Sequence, residues 1–319
     1  MAYPIEKKLV VGVSSNALFN LQMEDTLFRE KGVKAYKEFQ VENKTRPLEK
    51  GLAYPFISRY LYINKVYADQ SPVEVVLLSK NSPETGIRIF NSIKEHRLDI
   101  TRAAFTSGQS PYKYIPAYNI SLFLSTNEED VLNSIKAGYP AGRILPTKVV
   151  DDADDNELRI AFDFDGVIAD DESEKVYEET KQLKLYHAYE SEKAAVPLGI
   201  GPLGEFFTKI SYFQKMESKK EQEDKNYKRI LRTAIITARN APAHERAVNT
   251  LTSWGVSVDD LFMLGGIEKR RILEVVRPHL YMDDQIEHLN AEIQNIPLVH
   301  IPFGVKNQHK TESHATKKI

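Results

Sequence analysis

The residues best suited to chemistry are two aspartates, Asp163 and Asp165, which follow the apolar run 159–162 and precede Gly166. Residues two apart on a strand share a face, and a sharp turn at Gly166 would swing the second carboxylate over the first. Two acids held this close resist joint ionisation unless a cation lies between them or one stays protonated. The pair therefore indicates a metal site, or a nucleophile with its general acid. A plain strand-to-turn Asp-Gly explains an isolated Asp-x-Asp-Gly equally well.

Three later segments also end in groups that can contact a phosphate or a cation: Thr237 with Ala238, Lys269, and the pair Asp283–Asp284. A hydroxyl with backbone N–H groups at a helix start suits a phosphate, and a lysine supplies a mobile point charge for its oxygens. Taken singly, a strand-end threonine, a surface lysine or a capping aspartate pair is the commoner explanation. In this order at strand ends, the groups predict one shared site.

Strands that alternate with helical patterns must position these groups. The alternation predicts an α/β fold with parallel sheets, in which ligands bind beyond the carboxyl ends of the strands. The sequence also repeats itself, because several identical residues recur 150 positions apart, including Glu24 and Glu174, Tyr36 and Tyr186, and Gly51 and Gly201. We predict a tandem duplication, with chance similarity as the alternative.

The duplication predicts two parallel-sheet units, residues 1–150 and 151–305, followed by a disordered tail, 306–319. The spacing of the repeat grows by nine residues between Phe206 and Ala234. This interval holds the mixed-charge run 215–225, which is typical of an exposed helix or loop.

Composition excludes several classes of protein. The 319 residues contain no cysteine, which rules out disulfides, thiolate nucleophiles and cysteine metal sites. A net charge of -2 gives no general support for nucleic-acid binding. No apolar segment approaches the length of a membrane span. We therefore expect a soluble, cytoplasmic protein that binds neither nucleic acid nor membrane; a homo-oligomer is left open.

The order of the four motifs resembles that of the haloacid dehalogenase-like superfamily, over residues 158–300. The resemblance implies Rossmann-like units with a small cap insertion at about 171–232. It also implies that Asp163 is a phosphorylated nucleophile, that Asp165 is the acid and base, and that Thr237, Ala238 and Lys269 hold the phosphoryl group. Mg²⁺ would be bound by Asp163, the backbone carbonyl of Asp165 and one acid of the Asp283–Asp284 pair, with the motif register favouring Asp284.

The whole chain resembles a narrower family, the cytosolic 5′-nucleotidase type I family with its bacterial members. The strings that carry this resemblance include VGVSSNALF from Val11, FTSGQSP from Phe105, LFLSTNEED from Leu122 and FDFDGVI from Phe162. The resemblance implies Mg²⁺-dependent hydrolysis of nucleoside 5′-monophosphates to nucleoside and phosphate. The alternatives are a phosphatase of sugar or cofactor phosphates and a non-catalytic nucleotide-binding regulator. Of the eight histidines, only His288, close to Asp284, is a candidate for the site.

Specificity is expected from the segment 171–232, with Gly201, Phe206 and Arg239 as candidate nucleoside-binding residues; core packing is the alternative for the aromatic side chain. In the first copy every carboxylate of the site is replaced by a neutral residue: Ser14 and Asn16 align with Asp163 and Asp165, Leu78 with Thr237, Ser110 or Pro111 with Lys269, and Ser125–Thr126 with Asp283–Asp284. The first copy is therefore predicted to be catalytically inactive, and to be either packing surface or a binding site for a nucleotide or phosphate.

Overall fold

The apolar runs of the sequence form parallel β-strands, and the charged stretches between them form helices. A computed structural model describes residues 3–152, 154–290 and 292–307. The chain divides into unit 1, Met1–Pro146, and unit 2, Thr147–Ile319. Each unit is α/β with a mostly parallel sheet, as the sequence predicts.

Unit 1 is built on a five-stranded parallel sheet in the order β7-β6-β1-β4-β5, beside a small antiparallel pair, β2 and β3. Its described strands are β1 (Leu9–Ser14), β2 (Phe19–Asn20), β3 (Glu49–Lys50), β4 (Val73–Ser79), β5 (Arg102–Phe105), β6 (Ile120–Ser125) and β7 (Ala141–Ile144). Its described α-helices are α1 (Ser15–Leu18), α2 (Gln22–Glu42), α3 (Tyr54–Val66), α4 (Pro83–Glu95) and α5 (Glu128–Lys136).

Unit 2 has a parallel sheet in the order β10-β9-β8-β11-β12. Its described strands are β8 (Leu158–Phe162), β9 (Leu231–Thr237), β10 (Asp260–Met263), β11 (Leu280–Asp283) and β12 (Leu298–His300). Its described α-helices are α6 (Glu172–Thr180), α7 (Leu183–Glu192), α8 (Gly204–Glu223), α9 (His244–Ser253) and α10 (Lys269–Val276).

Burial explains why the central strands are continuous apolar runs. Every residue of β1 and β4 is buried, as expected for parallel strands that are covered on both faces. In unit 2 the corresponding cover comes from α8, where Phe206 and Phe207 pack against Phe162 of β8 with ring centroids 6.3 and 5.2 Å away. Helix α8 is therefore a crossover helix that packs on the sheet.

Because α8 packs on the sheet, only part of residues 171–232, the segment predicted to form a cap, lies at the cavity. The residues of 171–232 that line the cavity come from α6 and α7, while α8 packs on the sheet. The mixed-charge run begins within α8, which extends to Glu223, whereas α3 of unit 1 has 13 residues against 20 in α8. The additional residues lengthen a helix and leave the sheet unchanged.

The two units share one strand order. When the sheet strands of each unit are counted in chain order, both sheets read 3-2-1-4-5. The register also corresponds, because Val13 faces Leu124 in unit 1 as Phe162 faces Met282 in unit 2. Strands β4 and β9 end in Ser79 and Thr237, so Ser79 occupies the place that the sequence alignment assigned to Leu78.

Two remaining expectations concern the chain as a whole. No helix in the described parts of the chain is long and apolar enough to cross a membrane. The predicted disordered tail falls almost entirely outside the described residues, which end at Asn307. Its first residue, Lys306, is described, and it forms an ion pair with Glu178 at 2.5 Å.

Candidate active site

The acids and the threonine predicted from the sequence lie at the carboxyl ends of β8, β9 and β11. Because these three strands are neighbours and parallel, their ends meet at one edge of the sheet. A cavity of about 340 Å³ opens there, lined by residues that include Asp163, Asp165, Thr237, Ala238 and Arg239. The helix that starts at Lys269 brings the lysine to the same place.

Lys269 lies between the carboxylates of Asp163, which lines the cavity, and Asp283. Its Nζ is 2.5 Å from Asp163 Oδ2 and 2.7 Å from Asp283 Oδ2. All three side chains are at least 95% buried. Asp283 Oδ2 also accepts a hydrogen bond from the Tyr281 hydroxyl at 2.5 Å, and His288 Nδ1 lies 3.2 Å from it. The other carboxylate oxygen of Asp163, Oδ1, accepts a hydrogen bond from the backbone N–H of Phe164.

This arrangement shifts the pKa values of Asp163 and Asp283 in opposite directions. Burial raises the pKa of Asp163 to about 6, although Lys269 opposes the rise. For Asp283 the same burial is outweighed by Lys269 and His288, which hold its pKa below its ordinary value. Burial alone would lower the pKa of Lys269, but Asp163 and Asp283 raise it above its usual range. At neutral pH the lysine is therefore a buried cation paired with two carboxylates.

Asp284 differs from Asp283 in the contacts of its carboxylate. Both of its carboxylate oxygens are buried without a hydrogen-bond partner among the described residues. Burial and the neighbouring Glu174 raise its pKa well above the ordinary value. A Cβ on Gly166 would lie 2.7 Å from the Asp284 carboxylate, and Gly166 has φ +71°. Glycine is therefore required where the turn after Asp165 passes over Asp284.

Glu174, on α6, is a further acid that the catalytic motifs do not contain. One oxygen accepts a hydrogen bond from Gln285 at 2.7 Å, and the other is buried without a partner among the described side chains. Burial, followed by the charges of Asp165 and Asp163, raises its pKa to about 8. Its recurrence 150 positions after Glu24 was the only signal in the sequence that marked it.

The acids fit a hard divalent cation, and the geometry favours one subset of them. Asp163, Asp283 and His288 have donor atoms within 4.8 Å of one another. Within that group, however, the lysine ammonium already lies between the two carboxylates. An uncompensated buried carboxylate is costly, so the unpartnered oxygens of Asp284 are the better ligands. Carboxylate and carbonyl oxygens are the donors that Mg²⁺ takes in proteins.

Asp165 is held by a buried arginine. Arg239 donates from Nε and Nη2 to the two oxygens of Asp165, at 2.8 and 2.6 Å. Arg239 is also paired with Glu190 of α7 and donates to Ser173 of α6 at 2.8 Å. Glu190 in turn accepts from Arg246 at 3.0 Å. Although Arg239 lines the cavity, its guanidinium is occupied in orienting Asp165, whereas the sequence interpretation assigned it to the nucleoside.

Thr237 and Ala238 form the side of the cavity that faces Asp163. Thr237 is the last residue of β9, and its Oγ1 accepts a hydrogen bond from Arg239 N at 3.2 Å. This contact closes a tight turn at the end of the strand and leaves the hydroxyl hydrogen available. Ala238 lines the cavity without filling it.

Two of the candidate nucleoside-binding residues are not at the cavity. Phe206 is fully buried and packs on Phe162, so its ring is part of the core. Gly201 donates to the Ile168 carbonyl at 2.9 Å, and a Cβ there would lie 2.2 Å from the Ala169 carbonyl oxygen. The close backbone contact explains this glycine. The interpretation of both residues as nucleoside ligands is corrected accordingly.

A different set of side chains forms the apolar wall of the cavity. Tyr177 of α6 and Tyr186 of α7 meet edge to face, with ring centroids 6.3 Å apart at 83°. Leu183, 55% exposed, lies beside them at the cavity. Lys306 also lines this cavity, and it supplies a cation from the carboxyl-terminal side. Only the recurrence of Tyr36 as Tyr186 pointed to this wall in the sequence.

Comparison with known proteins identifies the family. The profile of the 5′-nucleotidase family matches residues 1–308, and the chain belongs to that family. It is 31% identical over 292 residues to human cytosolic 5′-nucleotidase 1B. The alignment covers 89% of this chain and 47% of the human protein. The chain therefore spans about half the length of that curated relative. The resemblance inferred from the sequence motifs is confirmed at the level of the family.

A comparison with solved structures matched the structure of a Pnkp1/Rnl/Hen1 complex. The match has 12% sequence identity and a TM-score of 0.31, and it covers 93% of this chain and 97% of the other.

Proposed function

We propose that unit 2 hydrolyses nucleoside 5′-monophosphates to nucleoside and phosphate through a phosphorylated Asp163. The family supports the substrate class, and the buried group of Asp163, Lys269 and Asp284 supports the mechanism. Asp163 Oδ2 is paired with the Lys269 ammonium, which neutralises charge and leaves the carboxylate unprotonated as a nucleophile. This contact is the single observation on which the proposal most depends.

The first step forms a bond between an Asp163 oxygen and phosphorus and breaks the bond from phosphorus to the ester oxygen. Asp165 gives a proton to that oxygen, so the nucleoside leaves as an alcohol. Lys269, the Thr237 hydroxyl and the backbone at Ala238 bind the three peripheral oxygens, where charge accumulates during the transfer.

The second step hydrolyses the acyl phosphate. Asp165 takes a proton from water, the water oxygen bonds to phosphorus, and the Asp163–phosphorus bond breaks to release phosphate. A carboxylate that accepts two hydrogen bonds from Arg239 is the form needed for this step. Proton donation in the first step requires one of those contacts to be released.

Mg²⁺ would be held by Asp163, the backbone carbonyl of Asp165 and Asp284, with Glu174 and Asp283 beside it. When bound, the ion neutralises charge on the phosphate oxygens. The orphaned carboxylate of Asp284 is the observation that supports this assignment. Without a cation, Asp163, Glu174 and Asp284 repel one another in a buried space.

The nucleoside would lie against Tyr177, Leu183 and Tyr186, since an aromatic and aliphatic wall suits a planar base. Helices α6 and α7, which carry this wall, then act as the small cap over the site. The same helices carry Ser173 and Glu190, which contact Arg239. A cytoplasmic location stays a prediction.

We further infer that unit 1 is a duplicated copy that has lost its catalytic groups. Several hydrogen bonds recur at corresponding positions. Leu48 N donates to Ser92 Oγ at 2.9 Å, as Leu198 N donates to Thr250 Oγ1 at 3.1 Å. The backbone bond from Gly51 N to the Leu18 carbonyl matches the one from Gly201 N to the Ile168 carbonyl. The shared strand order supports the same conclusion.

The strand ends of unit 1 keep the turns of the site but not its charges. Asn81 N donates to Ser79 Oγ at 3.1 Å, as Arg239 N does to Thr237. Asn127 N donates to Ser125 Oγ at 3.1 Å, as Gln285 N does to Asp283 Oδ1 at 2.8 Å. The predicted replacement of Asp163 by Ser14 leaves no nucleophilic carboxylate at that strand end.

The test is phosphate release from a panel of nucleoside 5′-monophosphates and sugar phosphates, with Mg²⁺ and with a chelator. We expect the nucleotides to have the highest kcat/KM and the chelator to abolish turnover. Preferred hydrolysis of the sugar phosphates would overturn the substrate assignment, and full activity with the chelator would overturn the role of the metal.

A further inference from the structure

Unit 1 contains a cavity of its own. It has a volume of about 640 Å³, against about 340 Å³ for the cavity of unit 2. It opens at the carboxyl ends of β1 and β4, where Ser14, Asn16 and Asn81 line it. Cavities of this size are typical of small-molecule sites.

The apolar wall of this cavity repeats the wall of the catalytic cavity. Phe28 and Tyr36 meet edge to face, with centroids 5.7 Å apart at 87°, as Tyr177 and Tyr186 do in unit 2. Val33 lies beside them, in the place that Leu183 has in unit 2. The wall of unit 1 has therefore kept its aromatic pair although the catalytic acids are absent.

The backbone that carries the two walls also corresponds. Helix α2 contains a kink at Gly32, which has φ +78°. In unit 2 the helix is broken after Thr180, where Lys181 has φ +53° and α7 starts two residues later. Both breaks turn an aromatic residue on the first helical segment towards one on the second.

Exposure argues against core packing as the reason for this wall. Phe28 is 47% exposed and Val33 is 56% exposed. Large apolar side chains gathered at the mouth of a cavity are a feature of binding sites, because leaving them in water forgoes the stabilisation of burial. A planar ring placed against Phe28 would cover this surface.

The polar side of the cavity offers donors for an anionic group. Asn81 Nδ2 is buried without a hydrogen-bond partner, while its Oδ1 accepts from the Tyr36 hydroxyl at 3.0 Å. Lys80 is paired with the buried Asp130 at 2.8 Å, and its side chain remains 32% exposed. An acceptor oxygen would satisfy the buried amide and lie close to the ammonium group.

The strand-end aspartates of unit 2 have no acidic counterparts at the strand ends of unit 1, although Asp25, Glu84 and Asp130 also line its cavity. Among the described residues, the one group of three potential metal-ligating side chains is in unit 2. The buried acid of the unit 1 cavity, Asp130, already has Lys80 and Ser110 as partners. A phosphate here would be met by an amide and a lysine instead of by a metal ion.

We propose that the cavity of unit 1 is a second nucleotide site, which binds a base against Phe28 and Tyr36 and a phosphate near Lys80 and Asn81, without a divalent cation and without hydrolysis. This site goes beyond the activity proposed for unit 2. Its occupancy is measured by binding and does not depend on turnover.

The experiment is equilibrium dialysis of radiolabelled adenosine 5′-monophosphate against the full chain in excess chelator. We expect one nucleotide bound per chain. Phe28→Ala should weaken this binding at least about 10-fold, a loss typical of removing an aromatic contact. The matched variant Tyr177→Ala removes one ring of the aromatic pair of unit 2 and should leave the binding of nucleotide to unit 1 unchanged. Asn81→Leu is a second variant of the same site, used if Phe28→Ala does not fold by circular dichroism.

Three results would overturn the proposal: no binding in chelator, binding lost in Tyr177→Ala, or binding retained in both Phe28→Ala and Asn81→Leu. Phosphate release with Mg²⁺ is measured on the same preparations. Failure of the proposed nucleotidase activity would appear there and not in the dialysis, so the two proposals can fail separately.

Discussion

The two units place the same strand ends around a cavity and differ in the charge that those ends carry. In unit 2 the ends of β8 and β11 carry Asp163 and Asp283, with a lysine between them. In unit 1 the corresponding ends carry Ser14 and Ser125, and each serine hydroxyl is used in a local hydrogen bond. Unit 1 therefore has the strand-end turns of the site proposed in unit 2 without its charges.

The comparison teaches that the scaffold and the chemistry are separable. The hydrogen bonds that shape the strand-end turns need only a side-chain oxygen, which serine, threonine and aspartate all supply. Charge is a further property, and it creates the pKa shifts that are seen around Asp163 and Asp284. Exchanging residues between the units is thus the direct way to test what each charge does.

The largest effect is expected when Asp163 is replaced by the residue of unit 1. Asp163→Ser removes the nucleophilic carboxylate, and kcat should fall by about 10³-fold or more because no acyl phosphate can form. Steady-state phosphate release measures this. The exposed Asp69→Ser is the matched control and should keep full activity. Retention of more than a tenth of the activity in Asp163→Ser would contradict the mechanism.

A smaller loss is expected at the proposed metal ligand. Asp284→Thr introduces the residue that unit 1 has at Thr126, and it removes a buried oxygen ligand. The Mg²⁺ concentration for half-maximal activity should rise by more than about 10-fold. A magnesium titration of turnover measures the change. If the same shift came from Asp283→Ser instead, and Asp284→Thr left the titration unchanged, Asp283 would be the ligand.

Replacing Arg239 by the asparagine of unit 1 should have an intermediate effect. Arg239→Asn leaves Asp165 without its two hydrogen bonds, while Glu190 keeps Arg246 and Ser173. We expect kcat to fall by about 10- to 100-fold through misplacement of the acid, with a change in the pH profile and little change in KM. Arg232→Asn, at an exposed position of the preceding strand β9, is the control. A rise in KM alone would show that Arg239 binds the substrate.

The smallest effect concerns the stability of the metal-free protein. The pKa of Glu174, about 8 in the folded state, exceeds its unfolded value, so the folded state holds more protons between these values. Stability should therefore fall as pH rises from about 5 to 8. Thermal unfolding in chelator should give a lower Tm at pH 8 than at pH 6. Mg²⁺ should raise the Tm more at pH 8; a Tm that rises with pH in chelator would contradict this.

The order of the catalytic motifs was readable from the sequence because each follows an apolar run. A buried parallel strand has a fixed direction, so the residue after its last apolar position reaches the ligand edge of the sheet. This is why Asp163, Thr237 and Asp284 could be assigned to one site. The expectation of α/β units followed from the same alternation of strands and helices.

The roles of Phe206 and Arg239 could not be read from the sequence in this way, because the hydrophobicity or charge of a side chain does not determine the direction in which it points. An aromatic residue on a crossover helix faces either the sheet or the cavity, and packing against Phe162 selects the sheet. A conspicuous arginine after Thr237 fits a substrate contact equally well as an internal ion pair. The structure pairs Arg239 with Asp165 and with Glu190, which is far away in the chain, and a contact of Arg239 with the nucleoside stays a prediction.

By itself, the sequence determined which strand ends carry acids, hydroxyls and a lysine, since those properties are local to each strand and its turn. The tertiary structure alone decided that the carboxylate of Asp284 has no hydrogen-bond partner among the described residues, that Glu174 joins the site, and which aromatic rings form the walls of the two cavities. These outcomes depend on side chains that are distant in sequence. Their burial and charge balance arise only when the helices pack over the ends of the strands.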